Sequence, residues 1–316
     1  MQNRDIIVIG GSAGGVEALK TVFSALPRDL PASVFAVLHT TPHTPNLLPT
    51  LLSGVTELRT KGAADGEPIE HGRAYIAQPD RHLLVANSHV HLSAGPKENR
   101  TRPAINPLFR SAAISYGPRV IGVILTGTLD DGTLGLWEIK RRGGVAVVQD
   151  PKDAQHDQMP ISAIQNVEID FRVPLNEISP LLVSLVRGQI PRGKEAPQFP
   201  MHSQPTRLTC PECHGPIERR TFGNITELVC RVGHSYSPES MLVAHDEAEE
   251  RALWTAVQML EEGAELADQS GGTQTAESPL ELHRTSSRKR DLAKRIREVI
   301  ELNGRVAEQR KKVAGK

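Results

Sequence analysis

Apolar positions in the first half of the chain fall into short, continuous runs, at 6–9, 34–38, 120–125 and 145–148. Each run is bounded by glycine, proline or polar residues, a pattern typical of strands buried in a parallel sheet. Between the first two runs, apolar residues recur at the three-and-four spacing of an amphipathic helix, at Val16, Leu19, Val22, Phe23 and Leu26. The alternation predicts an α/β fold with a mostly parallel, doubly wound sheet.

The segment 74–92 has a different pattern. Two short runs, 82–86 and 89–92, are joined across the polar pair Asn87-Ser88. Such an arrangement predicts a β-hairpin, which we expect to be added to the parallel sheet.

Proline and glycine interrupt the pattern after residue 188, which predicts a linker over 189–206. The chain is therefore expected to contain a first domain over 1–188, a cysteine-containing module over 207–236 and a helical extension over 237–316. Ser237 and Pro238 suit the N-cap and first position of a helix that reaches about residue 266. A second helix is expected over about 280–312.

The two C-terminal helices carry opposite charge. Nine acidic residues and one arginine lie in 239–268, whereas 288–316 contains eleven basic and four acidic residues. Apolar residues at coiled-coil spacing predict a seam formed by Leu253, Val257, Leu260 and Ala264 on one helix and by Leu292, Ile296, Val299, Asn303 and Val306 on the other. We expect an antiparallel hairpin or its equivalent between two copies of the chain, that is, self-association.

The whole chain has no net charge, with 37 basic and 37 acidic residues. No overall field therefore attracts nucleic acid or an anionic membrane, and nucleic-acid binding by the basic helix is disfavoured by its acidic neighbour. The sequence contains no apolar segment long enough for a signal peptide or a membrane span, so the expected location is the cytoplasm without membrane insertion.

A glycine-rich turn follows the first apolar run. Gly10, Ser12 and Gly14 match the G-x-S-x-G pattern of a nucleophile elbow, in which a strand-to-helix turn exposes a serine hydroxyl. A dinucleotide-binding turn requires glycine where Ser12 stands, and a phosphate-binding P-loop requires a lysine after the last glycine. A tight turn without chemistry is the other interpretation.

Polar residues that directly follow parallel strands are the best candidates for a site, because the carboxyl ends of such strands share one edge of the sheet. Ser12, His39 and the pair Asp130-Asp131 all meet this condition. Serine, imidazole and carboxylate together form a catalytic triad. His43 is an alternative base, and either aspartate could also serve only to stabilise a turn.

Three segments of the sequence, 7–15, 37–39 and 125–132, resemble the active-site segments of CheB-type protein-glutamate methylesterases. Further similarities occur in the same order over about 4–186, including 72–77, Arg102-Pro103, 109–113 and Met159-Pro160. The resemblance implies hydrolysis of glutamate γ-methyl esters on methylated chemoreceptors, opposite a methyltransferase, with a possible glutamine deamidase activity. No cofactor is expected for catalysis.

The resemblance also implies roles for individual residues. Ser12 would be the nucleophile, His39 the general base and Asp131 the orienting carboxylate, while the backbone amides of Ala13 and Thr128 would form the oxyanion hole. Asp130 stands where the family commonly has asparagine. Family members usually carry an N-terminal phosphorylatable receiver domain, so we expect that phosphorylation within this chain does not control it.

The three cysteines and a histidine have the spacing of a metal site. Cys210 and Cys213 form one pair, and Cys230 and His234 form the second. Three thiolates and an imidazole predict a closed, structural zinc site in a small zinc-ribbon-like module. His214 is the alternative fourth ligand.

A protein from a different functional class could have the same sequence features. The esterase fold could bind a partner in a regulatory or scaffolding role with little turnover. The complete triad favours the esterase.

Overall fold

The structure, a computed structural model, describes residues 4–189, 200–270 and 278–314. The chain divides into two compact units, Met1–Met241 and Leu242–Lys316.

Strands within the described ranges are, in chain order, β1 (Ile6–Gly11), β2 (Ser33–Leu38), β3 (Arg59–Gly62), β4 (Arg73–Ile76), β5 (His82–Ala86), β6 (His89–Ser93), β7 (Val120–Ile124), β8 (Val145–Gln149), β9 (Phe171–Val173), β10 (Met201–Thr209), β11 (Pro216–Phe222), β12 (Ile225–Cys230) and β13 (Ser235–Tyr236). The α-helices are α1 (Gly15–Ser24), α2 (Leu48–Ser53), α3 (Ile105–Tyr116), α4 (Thr133–Arg141), α5 (Gln158–Asn166), α6 (Leu175–Val186), α7 (Pro238–Ser270) and α8 (Pro279–Ala314).

The predicted parallel sheet is confirmed and has seven strands in the order β3-β4-β2-β1-β7-β8-β9, with every neighbouring pair parallel. The chain leaves β1 for β2 on one side and later adds β7 on the other side. This reversal creates the crevice in which α/β proteins commonly bind ligands. In register, Gly10 lies opposite both Val37 and Ile124, so the three strands end at the same level.

Helices cover both faces of this sheet, which explains why its central strands are apolar throughout. Side chains alternate along a strand, so Ile7 and Ile9 belong to a core cluster with α1 and α6, whereas Ile6 and Val8 belong to one with α3 and α4. The helix predicted after the first run is α1, and its apolar face is buried.

The predicted hairpin is β5-β6, which is antiparallel. Asn87 and Ser88 both have positive φ, as a two-residue hairpin turn requires. The hairpin forms a separate two-stranded sheet and does not extend the parallel one.

The cysteine-containing segment forms an antiparallel sheet in the order β10-β11-β12-β13, which we call the ribbon module. Part of the segment predicted as a linker, 201–206, lies in β10, and 190–199 lies outside the described residues. The ribbon module packs on the parallel-sheet domain. Ile225 is buried in the same core cluster as Trp137, and the rings of Trp137 and Phe222 lie 5.4 Å apart.

The second unit is helical, as predicted. Val257 is buried against Ala293 and Ile300, with Leu253, Leu260 and Ile296 packed around them. Ion pairs join Arg290 to Asp268 and Arg297 to Glu261, so residues further along α8 meet residues earlier in α7, and the helices are antiparallel.

The predicted seam is wrong in part on α8. Leu292, Val299 and Asn303 are exposed, and Ala293 and Ile300 are buried instead. Both series have helical spacing, and the choice between them depends on how α8 is rotated. The side chain of Val306 lies outside the described residues.

Within the described ranges, no helix has the combination of length and apolar character needed to cross a membrane.

Candidate active site

Ser12 lies in the turn between β1 and α1, at the carboxyl edge of the sheet. Its backbone amide donates to the carbonyl of Thr126 at 3.0 Å, and its carbonyl accepts from the amide of Gly15 at 2.8 Å. Gly14 has φ +75°, a conformation that favours glycine, and it completes the sharp entry into the helix. The turn holds Ser12 beside the loop that follows β7.

His39 and Asp131 meet Ser12 at this edge, although Asp131 is 92 positions from His39 in the sequence. The Oγ of Ser12 lies 3.0 Å from Nδ1 of His39, and Nε2 of His39 lies 2.8 Å from Oδ2 of Asp131. The carboxylate accepts a hydrogen bond from the N–H at Nε2, which leaves Nδ1 as an acceptor for the serine hydroxyl. The three side chains thus form a continuous hydrogen-bonded chain that can move a proton from the hydroxyl to the imidazole.

Asp131 is buried and nevertheless favours its charged form. Burial raises the pKa of Asp131, but hydrogen bonds from the His39 ring, the Ile105 amide and the Asn99 side chain outweigh it and hold the pKa below its usual range. The bonds from Ile105 and Asn99 measure 2.6 and 3.0 Å. A permanent carboxylate behind His39 can stabilise the imidazolium that forms when Ser12 loses its proton.

Asp130, the other aspartate of the pair, is bonded to a different part of the chain. Its Oδ1 accepts from the hydroxyl of Ser237 at 2.8 Å. Burial raises the pKa of Asp130 to about 7; the nearby charges of Glu239 and Asp131 act in the same direction, and the bond from Ser237 opposes them.

His43, the alternative base, is exposed, and its charge acts on Asp80. Among the candidates from the sequence, the structure thus brings together Ser12, His39 and Asp131.

The amide of Ala13 directly follows Ser12 in the turn between β1 and α1, and the amide of Thr128 lies in the loop after β7. A bond from the Thr126 hydroxyl to the Ala13 carbonyl, 3.0 Å long, joins these loops. In the described part of the chain, neither amide donates a hydrogen bond to another residue. Each amide therefore remains able to donate to a bound group.

Gly127 lies close to the serine. A Cβ at this position would lie 2.9 Å from Cβ of Ser12 and 2.0 Å from the sulfur of Met159. The absence of a side chain at Gly127 is what allows this loop to approach the hydroxyl.

Sequence reasoning missed Asn99 and the amide of Ile105 as partners of Asp131. Ile105 lies between the family-like segments Arg102-Pro103 and 109–113, but its contribution is a backbone group, which its side chain does not reveal. Asn99 is 7% exposed and has φ +47°. The only signal in the sequence is its place in the polar stretch before Arg102-Pro103.

The second cluster of chemical groups lies in the ribbon module. The ligand atoms of Cys210, Cys213, Cys230 and His234 all lie within 4.8 Å of one another. The sulfurs of Cys213 and Cys230 are 3.6 Å apart, and Nδ1 of His234 is 3.7 Å from the sulfur of Cys210. Four such donors around tetrahedral zinc would be separated by about 3.8 Å. The donor set and its dimensions fit zinc, with His234 and not His214 in the cluster.

Comparison with known proteins identifies the family. The family model described as CheB methylesterase matches residues 7–182, more than half of the chain. The chain therefore belongs to the CheB methylesterase family.

Two relatives illustrate the extent of the similarity. A protein-glutamate methylesterase/protein-glutamine glutaminase 2 of Methanosarcina mazei is 37% identical over 192 residues, which are 58% of this chain and 52% of the relative. A putative protein-glutamate methylesterase/protein-glutamine glutaminase of Leptospira interrogans is 38% identical over 189 residues, or 60% of this chain and 98% of the relative. The chain thus spans about half of the first relative and nearly all of the second.

A solved structure agrees with the observed fold. The crystal structure of the Thermotoga maritima CheB methylesterase catalytic domain matches with a TM-score of 0.56 and 34% identity, over 58% of this chain and 100% of that domain.

Proposed function

We propose that this protein is a protein-glutamate methylesterase that hydrolyses glutamate γ-methyl esters on methylated chemoreceptors in the cytoplasm, opposite a methyltransferase. The observation that supports this most directly is the hydrogen-bonded chain from Ser12 through His39 to Asp131, in a fold of the CheB methylesterase family. The relatives named above support the same reaction and a second one, deamidation of glutamine side chains.

The reaction would proceed through an acyl-enzyme. Oγ of Ser12 attacks the γ-carbonyl carbon of the ester while Nδ1 of His39 takes the hydroxyl proton. The oxygen of the tetrahedral intermediate accepts from the amides of Ala13 and Thr128. His39 then gives its proton to the methoxy group, and methanol leaves.

A water molecule completes the cycle. His39 takes a proton from the water as its oxygen attacks the acyl carbon, and then returns a proton to Oγ of Ser12 as the glutamate carboxylate is released. With a glutamine side chain as substrate, the same steps release ammonia.

The test is release of methanol from a chemoreceptor whose glutamate esters carry a labelled methyl group. We expect Ser12→Ala to abolish release, because no other group can form the acyl intermediate. Ser24→Ala, which alters an exposed serine bonded only to a neighbouring carbonyl, is the matched control and should leave release unchanged. Release that continued in Ser12→Ala would contradict the proposal.

We also propose that Cys210, Cys213, Cys230 and His234 hold one structural zinc ion. The measured separations of the donor atoms support this assignment. Metal analysis of the purified protein should find one equivalent of zinc, lost in Cys210→Ser and His234→Ala. His214→Ala, at the alternative ligand position, is the control and should retain it. Loss of zinc in His214→Ala with retention in His234→Ala would overturn the assignment.

A further inference from the structure

The ribbon module is hydrogen-bonded to the loop that supports the triad. The amide of Asn99 donates to the carbonyl of Ser235 at 2.8 Å, and the amide of Ser235 donates to the carbonyl of Lys97 at 3.4 Å. Residues 97–99 and 235 are therefore paired in the manner of two strands.

The side chain of Asn99 is held from both ends. Its Oδ1 accepts from the amide of Ser237 and from the hydroxyl of Ser240, each at 2.9 Å, and its Nδ2 donates to Oδ1 of Asp131 at 3.0 Å. Ser240 is fully buried. Because an amide presents its donor opposite its acceptor, the two donors from 237–240 force Nδ2 toward Asp131.

The bond from Asn99 determines how the triad carboxylate is turned. Oδ2 of Asp131 contacts His39 and the Ile105 amide, whereas Oδ1 is held by Asn99 and by a longer, 3.4 Å bond from the Asn106 amide. Removal of the Asn99 bond would leave Oδ1 with only the longer bond from Asn106, so the carboxylate could turn about its Cβ–Cγ bond more easily.

Residues 235–240, which hold Asn99, directly follow the cluster of Cys210, Cys213, Cys230 and His234. Ser235 directly follows His234, and the hydroxyl of Tyr236 lies 3.5 Å from the sulfur of Cys210. The Cys230 amide donates to the His234 carbonyl at 3.0 Å, which closes the turn that leads into the segment. The position of 235–240 is thus set by the groups that surround the cluster.

We propose that Asn99 is a positioning residue through which the ribbon module aligns Asp131, so that metal retention by the four-residue cluster sets the reactivity of Ser12. This inference rests on the proposed function for Ser12. It assigns the ribbon module a part in the chemistry, although the described hydrogen bonds of the His39 ring go to Ser12 and Asp131.

The first experiment measures the alignment without a substrate. The proton on Nε2 of His39, bonded to Asp131 at 2.8 Å, should give a low-field NMR signal in the intact protein. In Asn99→Ala and Ser240→Ala we expect this signal to move upfield and to exchange faster with water. Ser203→Ala, which alters an exposed serine of the ribbon module that bonds Glu218, is the matched control.

The second experiment measures the reactivity of Ser12 with a fluorophosphonate, which transfers its phosphonyl group to the serine oxygen and releases fluoride. We expect Ser240→Ala to slow labelling on the order of 10-fold, as small displacements of catalytic groups do. With the methylated receptor, kcat should fall by a similar factor and KM should stay unchanged. Circular dichroism of each variant verifies folding.

The third experiment removes the metal. Chelation of the intact protein, or His234→Ala, should move the His39 signal and slow labelling as Ser240→Ala does, and should add little to Asn99→Ala. His214→Ala should change neither readout.

These outcomes separate the two proposals. Failure of the fluorophosphonate to label Ser12 in the unaltered protein would refute the proposed function, and the His39 signal would still decide the inference. If the signal and the labelling rate are the same in the unaltered protein, Asn99→Ala and Ser240→Ala, the inference is wrong and the proposed function stands.

Discussion

The residues of the candidate active site differ in how far the sequence reveals them. Ser12, His39 and Asp131 each follow a strand of the central sheet, so their convergence follows from the parallel arrangement alone. Asn99 lies in the loop between the hairpin and α3, and the Ile105 amide is the first of α3; no periodicity fixes where such a loop runs or how it presents the start of the helix. The sequence therefore reveals the three reacting side chains and conceals the groups that hold them.

At Gly127 we expect a single added methyl group to reduce activity. In Gly127→Ala the new Cβ would approach Cβ of Ser12 to 2.9 Å, and the flexible end of Met159 can move away but the serine backbone cannot. A shift of Ser12 should lower kcat on the order of 10²-fold. The measurement is ester hydrolysis by the purified variant.

Gly11→Ala provides the control for this effect. Gly11 is the last residue of β1, directly before Ser12. Its new Cβ would lie 3.6 Å from Cα of Gly15, an ordinary contact distance. Activity that fell equally in both variants would mean that any alanine at this edge is harmful, and that the approach of Gly127 is not the cause.

Asp130 is expected to make the protein less stable as the pH rises. The folded state keeps the carboxyl proton up to about pH 7, whereas the unfolded chain loses it near pH 4, so the unfolded state binds fewer protons between these values and unfolding becomes easier. Asp130→Asn keeps an acceptor for Ser237 and removes the titration. Between pH 5 and 7 its free energy of unfolding should fall less than that of the unaltered protein, by about 2 kcal/mol.

Urea unfolding at pH 5, 6 and 7 measures this difference. Asp29→Asn, at an exposed aspartate, should follow the unaltered protein at all three values. Equal loss of stability in Asp130→Asn and the unaltered protein would show that burial does not raise the pKa of Asp130.

At the scale of elements, the sequence reveals strands that are buried and conceals those at the edges. Four of the five inner strands, β1, β2, β7 and β8, are apolar runs, and the fifth, β4, is a short strand that begins with Arg73. The outer strands β3 and β9 are short and contain charged residues, because an edge strand is open to solvent. On α8 the sequence contains two apolar series with helical spacing. Packing against α7 buries the one with Ala293 and Ile300 and leaves the one with Leu292 and Val299 exposed.

The helical hairpin depends on the buried series. Val257 is 2% exposed, so Val257→Ala should lower the free energy of unfolding of the second unit by about 1–2 kcal/mol. Met259→Ala, at a position that is 67% exposed, is the control and should have little effect. Thermal unfolding followed by circular dichroism measures both, and equal effects would mean that Val257 is not in the hairpin core.

At the scale of the molecule, the sequence separates the ribbon module from the parallel-sheet domain more sharply than the structure does. The proline-rich stretch predicts two independent parts, but Ile225 and Phe222 enter the core that contains Trp137. An interface between two regular parts depends on surface complementarity, which has no short-range pattern in the sequence.

Because the core is shared, a destabilising substitution in the ribbon module should also destabilise the parallel sheet. Ile225→Ala should lower the free energy of unfolding of the first unit by about 2–4 kcal/mol and weaken β12 and β1 together. Hydrogen exchange should be faster at the amides of both strands. Ile114→Ala, at a position that is 61% exposed, should change neither, and an effect confined to β12 would show that the module unfolds on its own.

The orientation of the His39 ring has a consequence for covalent ligands. In chymotrypsin-like triads Nε2 of the histidine faces the serine. Here Nδ1 of His39 faces Ser12, and Nε2 is bonded to the carboxylate of Asp131. An electrophile anchored next to Ser12 would alkylate Nδ1 and yield the regioisomer opposite to that formed in such proteases. Inhibitors with an electrophile placed to reach Nδ1 should therefore discriminate between this triad and the chymotrypsin-like one.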